Sequence, residues 1–407
     1  MTPKPHYTED RFTLYTGDAT DILGQLPTGS AHYVVTSPPY WGLRDYGTGT
    51  WTGGNPNCAH STGRGTDTPQ PPQPDVRYPA SAAHLRGDDP TSCGRCGATR
   101  QDRQLGLEPT PEDYVQNLRA VFAQLRRVVV PTGIVWLNLG DTYSANSDGY
   151  PNTHPGKPHQ PAYRANRTLP HKNLMGMPWR VAFALQADGW IVRNAIVWHK
   201  PNAMPESVRD RLSCRHELLF LHVQQRHYHF DLDPIREPLA RPDVTNVIGS
   251  PRKGATGCLG ASRRRRGTST YTPGYATSTA STRPPGAATS ASGGRHGVAH
   301  PRGKNPGDVW SIPTRPLRAA HFAAFPLDLP LRCIAAGCPP GGTVLDPFSG
   351  TATTGLAARH LGRAYIGIDL NPTFHDIALT RLHHTDHGSR PDADATGGAA
   401  GPGQPHA

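Results

Sequence analysis

The sequence predicts an α/β fold built on a mostly parallel sheet, and three stretches carry that prediction. Residues Tyr33–Val35 form an apolar, β-prone run that ends before two consecutive prolines. Residues Val344–Asp346 form a second run, which is followed by a glycine-bearing turn and the start of a helix. Residues Ala364–Asp369 form a third strand, which ends on a carboxylate. Strands that alternate with helices in this way are typical of α/β proteins.

The proline turn, residues Thr36–Trp41, can continue as neither helix nor sheet. Pro38 and Pro39 remove two N–H donors and fix φ, so the turn is stiff. It presents the Ser37 hydroxyl, nearby carbonyl oxygens and the Tyr40 ring. Such oxygens can accept hydrogen bonds from an exocyclic amino group, and an aromatic ring can stack on a heterocycle. A plain loop turn is the alternative that this stretch alone leaves open.

The glycine turn, residues Pro347–Ala352, joins the second strand to a helix. In nucleotide-binding folds such a turn lets the ligand approach the backbone. A carboxylate at the end of the next strand, here Asp369, binds ribose hydroxyls in those folds. The turn therefore predicts a nucleotide-type cofactor.

Together the two turns resemble the DNA amino-methyltransferases that use S-adenosylmethionine. That family has a cofactor motif Asp-Pro-Phe-x-Gly-(small)-Gly-Thr-Thr and a catalytic motif (Ser/Asp/Asn)-Pro-Pro-(Tyr/Phe). The catalytic motif comes first here, which resembles the permuted beta order of the family. The resemblance covers most of Phe12–Tyr46 and Glu108–Leu382, with Ala352 standing where the family usually has its second glycine. It implies a Rossmann-like class I methyltransferase fold, with a mostly parallel seven-stranded sheet that contains one antiparallel strand.

The resemblance also assigns roles to residues of both turns and their surroundings. Asp18 follows the first predicted strand, and capping of the next helix is an equal alternative for it. The implied catalytic residues are Ser37, Pro38, Pro39 and Tyr40, and the implied cofactor-binding residues are Asp18, Phe325, Asp346, Phe348, Ser349, Gly350, Thr351, Thr353, Asp369 and Asn371.

The chemistry implied is methyl transfer to the exocyclic N4 of cytosine in duplex DNA. Ser37 occupies the first motif position, where cytosine-N4 members tend to have Ser and adenine-N6 members Asp or Asn. Adenine N6 is therefore the alternative. Methylation of cytosine C5 lacks its cysteine nucleophile, because Pro39 follows Pro38. A zinc-bearing nucleic-acid-binding protein without catalysis, and a methyltransferase acting on RNA or protein amides, are further alternatives.

Hydrophobic periodicity predicts the remaining elements. The clearest helix signal is Thr110, a capping residue that is followed by Pro111 and by Asp113 three positions on. Apolar residues then recur at helical spacing, so one helix face should pack on the sheet. The other predicted elements are the strands Phe12–Asp18, Gly133–Asp141, Trp190–Trp198 and Glu217–Val223, and the helices Asp21–Leu26, Met177–Ala187, Leu327–Gly337 and Phe374–Leu382.

An insert over residues 42–104 is rich in Gly, Pro and Thr and shows little periodicity. It contains Cys58 and His60 and, further on, Cys93 and Cys96. Cys-x-x-Cys on a glycine-bearing turn is typical of half a structural zinc site, which a Cys/His pair could complete. A metal would supply folding free energy that so few apolar residues cannot. An unstructured loop with incidental cysteines is the alternative.

Residues 241–306 carry most of the net charge. They hold eleven Lys or Arg residues against one Asp, a net +10 of the chain's +11. A flexible basic segment binds phosphates without reading bases, and a solubilising linker is the alternative. The residues expected to contact DNA are Arg263 and Arg264 in this segment and Lys200, Arg209 and Arg211 between two predicted strands.

The predicted organisation has five parts. Residues 8–41 and 105–240 form the catalytic half, 42–104 the insert, 241–306 the basic linker or target-recognition region, 307–382 the cofactor half and 383–407 a disordered tail. Seven cysteines argue against a disulfide framework, and no apolar run approaches the ~18 residues of a membrane span. We therefore expect a soluble, cytoplasmic protein whose partner is double-stranded DNA. A restriction endonuclease, if one exists, would be a separate chain.

Overall fold

The computed structural model describes residues 3–60, 92–144, 169–170, 172–239, 300–315 and 325–386. Its strands are β1 (Tyr7–Glu9), β2 (Phe12–Thr16), β3 (Ala31–Thr36), β4 (Thr50–Thr52), β5 (Thr99–Gln101), β6 (Val129–Leu139), β7 (Ile191–His199), β8 (His216–Val223), β9 (Val309–Ser311), β10 (Thr343–Asp346) and β11 (Ala364–Asp369). Its α-helices are α1 (Ala19–Gln25), α2 (Pro111–Val128), α3 (Met177–Ala187), α4 (Asp328–Gly337), α5 (Thr353–His360) and α6 (Pro372–Asp386).

The main sheet of the described residues has nine strands in the order β1-β2-β11-β10-β3-β6-β8-β7-β9. Its seven inner strands match the predicted sheet, because only β8 among them runs antiparallel to its neighbours. The predicted total of seven strands is wrong, because the sheet also contains the edge strands β1 and β9. Each edge strand has three residues, too few to show the alternation that identifies a strand in a sequence.

Helices cover both faces of the sheet. Neighbouring residues of β3 belong to different buried clusters: Val34 packs with α2, whereas Tyr33 and Val35 pack with α4 and α5. Side chains of a strand alternate between its two faces, so the two clusters are the two halves of the core. The predicted cap of α2 is confirmed, since the Thr110 hydroxyl accepts from the Asp113 N–H at 3.1 Å.

Parallel pairing of the inner strands brings four chain segments to one edge of the sheet. The carboxyl ends of β2, β3, β10 and β11 lie side by side there. Ligands of open α/β sheets bind outside the carboxyl ends of the strands. The sheet therefore gathers both predicted motifs at the edge where a cofactor would bind.

Two predicted segments lie largely outside the described residues. The linker 241–306 is described only from residue 300, and the tail 383–407 only as far as 386. Residues Arg236–Asn305 group as a compact unit of their own, within which Glu237 and Lys304 are bridged through their backbones. Helix α6 continues to Asp386, because no Gly or Pro interrupts it at 383. None of the helices in the described ranges is long and apolar enough to cross a bilayer.

Candidate active site

The proline turn leaves the carboxyl end of β3 and is held in place from two sides. The Tyr114 hydroxyl on α2 donates to the Pro39 carbonyl at 2.9 Å. The Trp41 indole is buried and donates to the Glu108 carbonyl at 3.0 Å. Both anchors come from the chain that follows the insert, so the conformation of the turn depends on tertiary contacts as well as on its prolines.

A chain of hydrogen bonds runs from Ser37 to a carboxylate on β8. The Ser37 hydroxyl donates to the Tyr40 hydroxyl at 3.3 Å, and Tyr40 donates to Glu217 Oε2 at 2.7 Å. Asn138 Oδ1 lies 3.0 Å from the same Tyr40 oxygen. We assign the Tyr40 proton to Glu217, because the shorter and charged acceptor makes the stronger bond.

The environment of this chain keeps the tyrosine protonated. Burial, and then the charge of Glu217, raises the pKa of Tyr40 well above its usual value. Glu217 is paired with Lys200, whose ammonium lies 4.5 Å from the centre of the Trp198 ring. With Tyr40 donating to Glu217, the Ser37 proton points to Tyr40 and the Ser37 lone pairs remain free to accept.

The glycine turn is built around Asp346. This buried carboxylate accepts from the Thr36 hydroxyl at 2.6 Å, the Thr354 hydroxyl at 2.8 Å and the Phe348 N–H at 3.1 Å. Burial raises its pKa to about 6, against the opposing effect of these donors. Asp346 thus joins the end of β3 to the turn after β10, which places the two motifs next to each other.

Asp369 at the end of β11 closes the turn from the other side. Its carboxylate accepts from the Gly350 N–H at 2.7 Å and from the Asn371 N–H at 2.8 Å. Burial raises the pKa of Asp369 to about 6.

Ala352, in place of the usual family glycine, has a left-handed φ of 55° and is fully buried. The turn therefore keeps the glycine-type backbone at a local cost of roughly 1–2 kcal/mol.

A cavity of about 410 Å³ opens between the two turns. Its volume lies within the roughly 300–1,000 Å³ of ligand pockets. Ser37 and Gly350 both line it, as the prediction of one shared site requires. The predicted residues on its wall are Asp18, Ser37, Pro39, Phe325, Asp346, Phe348, Ser349, Gly350, Thr351, Thr353 and Asp369.

Three predicted residues lie beside the cavity rather than on its wall. Pro38 is buried within the turn, and Tyr40 faces Glu217 and Asn138. Asn371 caps α6 by accepting from the Thr373 N–H at 3.0 Å. Asp18 caps α1 through the Thr20 N–H at 2.8 Å, as the first of its two predicted roles requires, and it also lines the cavity.

Several residues of the wall were not predicted. Asn117 on α2 and Phe374 on α6 line the cavity, as do Tyr46, Arg103 and Gln104 from the two ends of the insert.

Glu217 is a further residue that the sequence did not indicate. It was predicted to lie on a strand, but not to contact the proline turn. Its sequence neighbours are the apolar residues of β8, and no local pattern indicates the distant Tyr40 as its partner.

The four predicted metal ligands come together. The ligand atoms of Cys58, His60, Cys93 and Cys96 all lie within 4.8 Å of one another. The Cys58 and Cys93 sulfurs are 4.0 Å apart, and Cys96 Sγ is 3.3 Å from His60 Nδ1. Zinc bonds of roughly 2.0–2.3 Å in a tetrahedron separate ligand atoms by about 3.3–3.8 Å. The residues therefore fit a tetrahedral zinc ion.

The residues predicted to contact DNA lie in different environments. Arg209 is exposed on the loop between β7 and β8, which begins at the active-site edge. Arg211 pairs with Glu206 at 2.5 Å and lies over the Tyr143 ring. Lys200 pairs with Glu217 beside Tyr40. Arg263 and Arg264 lie outside the described residues.

The fold and the site define an α/β methyltransferase, in which a cofactor cavity adjoins the proline turn. Residues 31–380 match the model of the N6/N4 DNA methylase family, and the chain belongs to that family. The resemblance seen in the two motifs is confirmed: the chain is an S-adenosylmethionine-dependent DNA amino-methyltransferase.

Two relatives align along most of their length. The chain is 32% identical over 379 residues to the Type II methyltransferase M.Cfr9I of Citrobacter freundii, covering 92% of this chain and 88% of that protein. It is 34% identical over 373 residues to the Type II methyltransferase M.XycI of Xanthomonas campestris pv. cyanopsidis, covering 91% and 87%.

A solved structure supports the fold. The PvuII DNA methyltransferase (cytosine-N4-specific) matches with a TM-score of 0.51 at 15% identity, covering 97% of this chain and 91% of that chain. At this identity the match supports the α/β methyltransferase architecture alone.

The cavity fits the family's cofactor. It offers the carboxylates of Asp18 and Asp369 for hydroxyl or ammonium groups and the rings of Phe348 and Phe374 for a flat, apolar surface. Gly350 has no side chain, so at this position of the turn the cavity is lined by backbone. S-Adenosylmethionine carries an adenine ring, ribose hydroxyls and an ammonium group, and each of these has a matching partner on the wall.

Proposed function

We propose that the protein methylates the exocyclic N4 of cytosine at specific sites in duplex DNA. The observation that supports this most is the shared cavity, whose wall contains Ser37 of the proline turn and Gly350 of the glycine turn. When bound, S-adenosylmethionine supplies an electrophilic methyl group. The chain itself must position an amino nitrogen and accept hydrogen bonds from it.

The exocyclic amine is a poor nucleophile because its lone pair is conjugated with the ring. Acceptors that hold its two N–H bonds favour a pyramidal nitrogen with a free lone pair. We assign this role to the Ser37 oxygen and the Pro38 carbonyl. Positioning on a stiff turn supplies much of the remaining rate enhancement, because the reacting groups need not be oriented during the reaction.

The hydrogen-bonded chain Ser37–Tyr40–Glu217, called the relay below, can accept the proton that the amine loses. As the nitrogen gains the methyl group it becomes acidic and must lose a proton. That proton can pass to Ser37 Oγ while Ser37 passes its own to Tyr40 and Tyr40 passes its own to Glu217. Glu217 then ends the chain as a neutral acid beside the charge of Lys200.

The choice of N4 over adenine N6 rests on Ser37, the residue type that cytosine-N4 members tend to have at this position. The target base must leave the duplex to reach the turn, so the enzyme bears the cost of unstacking it. Tyr40 is held by its hydroxyl, and we propose that its ring provides the stacking surface for the flipped base. Its ring already packs against Gly140, where an added Cβ would lie 2.6 Å from Tyr40 Cε2.

DNA contacts are proposed on the loop that follows β7. Arg209 is exposed there, as are the apolar side chains of Met204 and Leu212, which are 85% and 91% exposed. The basic segment containing Arg263 and Arg264 is proposed to add contacts to the phosphates. The relatives are named Type II methyltransferases, which supports the proposal that this chain is a modification enzyme of that type. We propose that any cognate endonuclease is a separate chain.

The Cys/His cluster is proposed to hold one structural zinc ion through Cys58, His60, Cys93 and Cys96. Three thiolates and an imidazole leave no open position for a substrate, so the ion would stabilise the insert rather than act in catalysis. Metal analysis of the purified protein should find one zinc per chain.

Mass spectrometry of nucleosides from the DNA of a host that expresses the protein tests the reaction. We expect N4-methylcytosine in DNA from expressing cells and none in cells that carry an empty vector. N6-methyladenine instead would reassign the base, and the absence of both would favour a binding protein without catalysis. Transfer to RNA but not to duplex DNA would contradict the assigned substrate.

A further inference from the structure

The insert is also part of the cofactor site. Its two ends contribute four residues to the cavity wall, Tyr46, Thr48, Arg103 and Gln104, and Leu105 directly after the insert also lines it. Tyr46 also forms an edge-to-face pair with Phe374, which lines the cavity from α6. The wall on this side therefore depends on how the insert is folded.

The two ends are cross-linked by polar contacts. The buried Gln104 side chain accepts from the Tyr46 N–H at 2.6 Å and donates to the Arg44 carbonyl at 2.8 Å. The Thr48 hydroxyl donates to Asp102 at 2.7 Å. Each of these hydrogen bonds joins the first segment of the insert, residues 44–48, to its last segment, residues 102–104. Displacement of one segment therefore removes the hydrogen bonds that hold the other in place.

An arginine attaches this cross-linked wall to the start of helix α1. Arg103 pairs with Asp21 at 2.6 Å and lies 3.6 Å from Asp18, both at the start of α1. Arg100 binds Asp45 at 3.3 Å and Asp102 at 2.9 Å, and so connects the wall to the hairpin beyond it. The wall is thus held between helix α1 on one side and the hairpin on the other.

The hairpin has little to stabilise it apart from the Cys/His cluster. Strands β4 and β5 have three residues each, and an isolated two-stranded hairpin is marginal in water. The described insert residues beyond Thr48 bury only Cys93 and Ala98 among their hydrophobic side chains. A metal ion is the remaining source of folding free energy for this part of the chain.

The cluster is in direct contact with the hairpin. The His60 ring stacks on Trp51 of β4, with ring centres 5.1 Å apart. Cys93 accepts from the Gly97 N–H at 2.8 Å and donates to Ala98 at 2.7 Å, which forms the tight turn leading into β5. An added Cβ at Gly54 would lie 2.7 Å from Cys96 Sγ, so the chain after β4 packs closely on the cluster.

We propose that zinc at this cluster determines the affinity for S-adenosylmethionine, because it fixes the hairpin that holds one wall of the cofactor cavity. The inference rests on the zinc proposed above. Loss of zinc frees the hairpin, breaks the pairing across Gln104 and leaves Tyr46 and Arg103 without a fixed position. Since coupling between two sites is reciprocal, bound S-adenosylmethionine should also slow the loss of zinc to a chelator.

The experiment compares four forms of the full-length chain by zinc content and by calorimetric titration with S-adenosylmethionine. They are the wild type, the double variant Cys93→Ser/Cys96→Ser, the control Cys214→Ser and the variant Gln104→Ala. Cys214 is an exposed cysteine outside the insert, so its substitution matches the chemistry without touching the cluster.

We expect one zinc in the wild type and in Cys214→Ser, with equal cofactor affinity. The double variant should lack zinc and bind the cofactor at least about tenfold more weakly, within the usual range for coupled sites. Gln104→Ala should keep zinc and still bind the cofactor more weakly, because it removes the cross-link between the two ends of the insert and one side chain of the cavity wall. Circular dichroism verifies that the sheet remains folded. If the double variant unfolds, the rate of zinc loss from the wild type to a chelator decides, because bound S-adenosylmethionine should slow that loss and an unchanged rate would disprove the coupling.

Four further results would overturn one part of the account or another, and they are distinguishable. A zinc-free double variant with wild-type cofactor affinity would disprove the coupling, as would Gln104→Ala with wild-type affinity. A wild type without zinc would disprove the metal site. A wild type that holds zinc but does not bind S-adenosylmethionine would disprove the proposed function itself.

Discussion

The hydroxyl of Tyr40 lies 2.7 Å from Glu217 Oε2, although 177 positions separate the two residues in the chain. The topology of the sheet explains the contact. Strand β8 runs antiparallel to β6 and β7, so its first residues lie at the edge where β3 and β6 end. Glu217 pairs with Trp198 near the end of β7 and thereby reaches the proline turn.

Replacement of Glu217 by Gln should slow methyl transfer roughly 10–100-fold, because the final proton acceptor of the relay is lost. Lys200 also loses its partner, which should cost about 1–2 kcal/mol of stability for a pair that is partly exposed. Single-turnover transfer and urea unfolding measure the two effects. Glu112→Gln, which removes the exposed partner of Arg180, should change neither by much. A wild-type single-turnover rate in Glu217→Gln would exclude the relay.

Binding of S-adenosylmethionine should weaken as the pH falls below about 6. The pKa of Asp369 in the folded protein is about 6, so at lower pH this carboxylate is neutral and accepts hydrogen bonds poorly. Affinity should fall by about tenfold per pH unit once the pH is well below that value. Titration calorimetry between pH 5 and pH 8 would measure this.

The effect of the same group on folding has the opposite sign. The folded pKa of Asp369 is raised above the ordinary value of 3.8, so the folded state holds the proton more tightly than the unfolded state does. Its contribution to stability is therefore greatest at low pH and falls as the pH rises from about 4 to about 6.

Two variants test the predicted pH dependence of cofactor binding. Asp369→Asn should bind S-adenosylmethionine weakly at every pH. Asp376→Asn, on the exposed side of α6, should retain the wild-type dependence of affinity on pH.

A methyl group at residue 140 should disturb the Tyr40 ring. A Cβ there would lie 2.6 Å from Tyr40 Cε2, and the hydroxyl bonds of Tyr40 leave the ring little freedom to move. Gly140→Ala should lower kcat about tenfold or more, as expected when a reacting group is displaced by part of an ångström. Gly24→Ala in α1 meets no atom within 4 Å and should instead add about 0.5–1 kcal/mol of stability. Equal kcat values for Gly140→Ala and the wild type would show that the ring is not part of the site.

Arg209 should contribute to DNA binding through a phosphate. Arg209→Ala should weaken binding to all sequences alike and reduce the slope of log K against log salt by about 1. Fluorescence anisotropy with duplexes from 50 to 300 mM salt would measure the slope. Arg119→Ala, which removes the partner of Asp188, is a control of equal charge change. Loss of binding to one sequence only would mean that Arg209 reads bases.

The sequence alone predicted those parts of the site that are formed by short, continuous segments of the chain. The proline turn and the glycine turn are short, stiff or glycine-bearing segments whose residues determine their own backbone, and both lie where they were predicted. The four predicted metal ligands also lie together, and the turn between Cys93 and Cys96 brings two of them close to each other. Parallel strands ending at one edge then follow from the α/β pattern.

The missing parts depend on partners that are distant in sequence. Glu217 reaches Tyr40 because β8 runs in the reversed direction, and Gln104 contacts Tyr46 from a loop whose composition indicates no structure. Strands β1 and β9 exist because longer neighbours offer them free edges, and no hydrophobic pattern marks them. Ala352 adopts a glycine-type φ of 55° because the helix α5 and the buried cluster around it hold it there.

The most direct test of the central claim is methyl transfer by Ser37→Ala compared with Ser30→Ala, which changes the same residue type at the opposite end of β3. We expect Ser37→Ala to bind S-adenosylmethionine with wild-type affinity and to transfer the labelled methyl group to duplex DNA about 100-fold more slowly, as after loss of one preorganised polar group. Ser30→Ala should transfer it at the wild-type rate. Transfer by Ser37→Ala as fast as by the wild type would contradict the claim that the two turns form one active site.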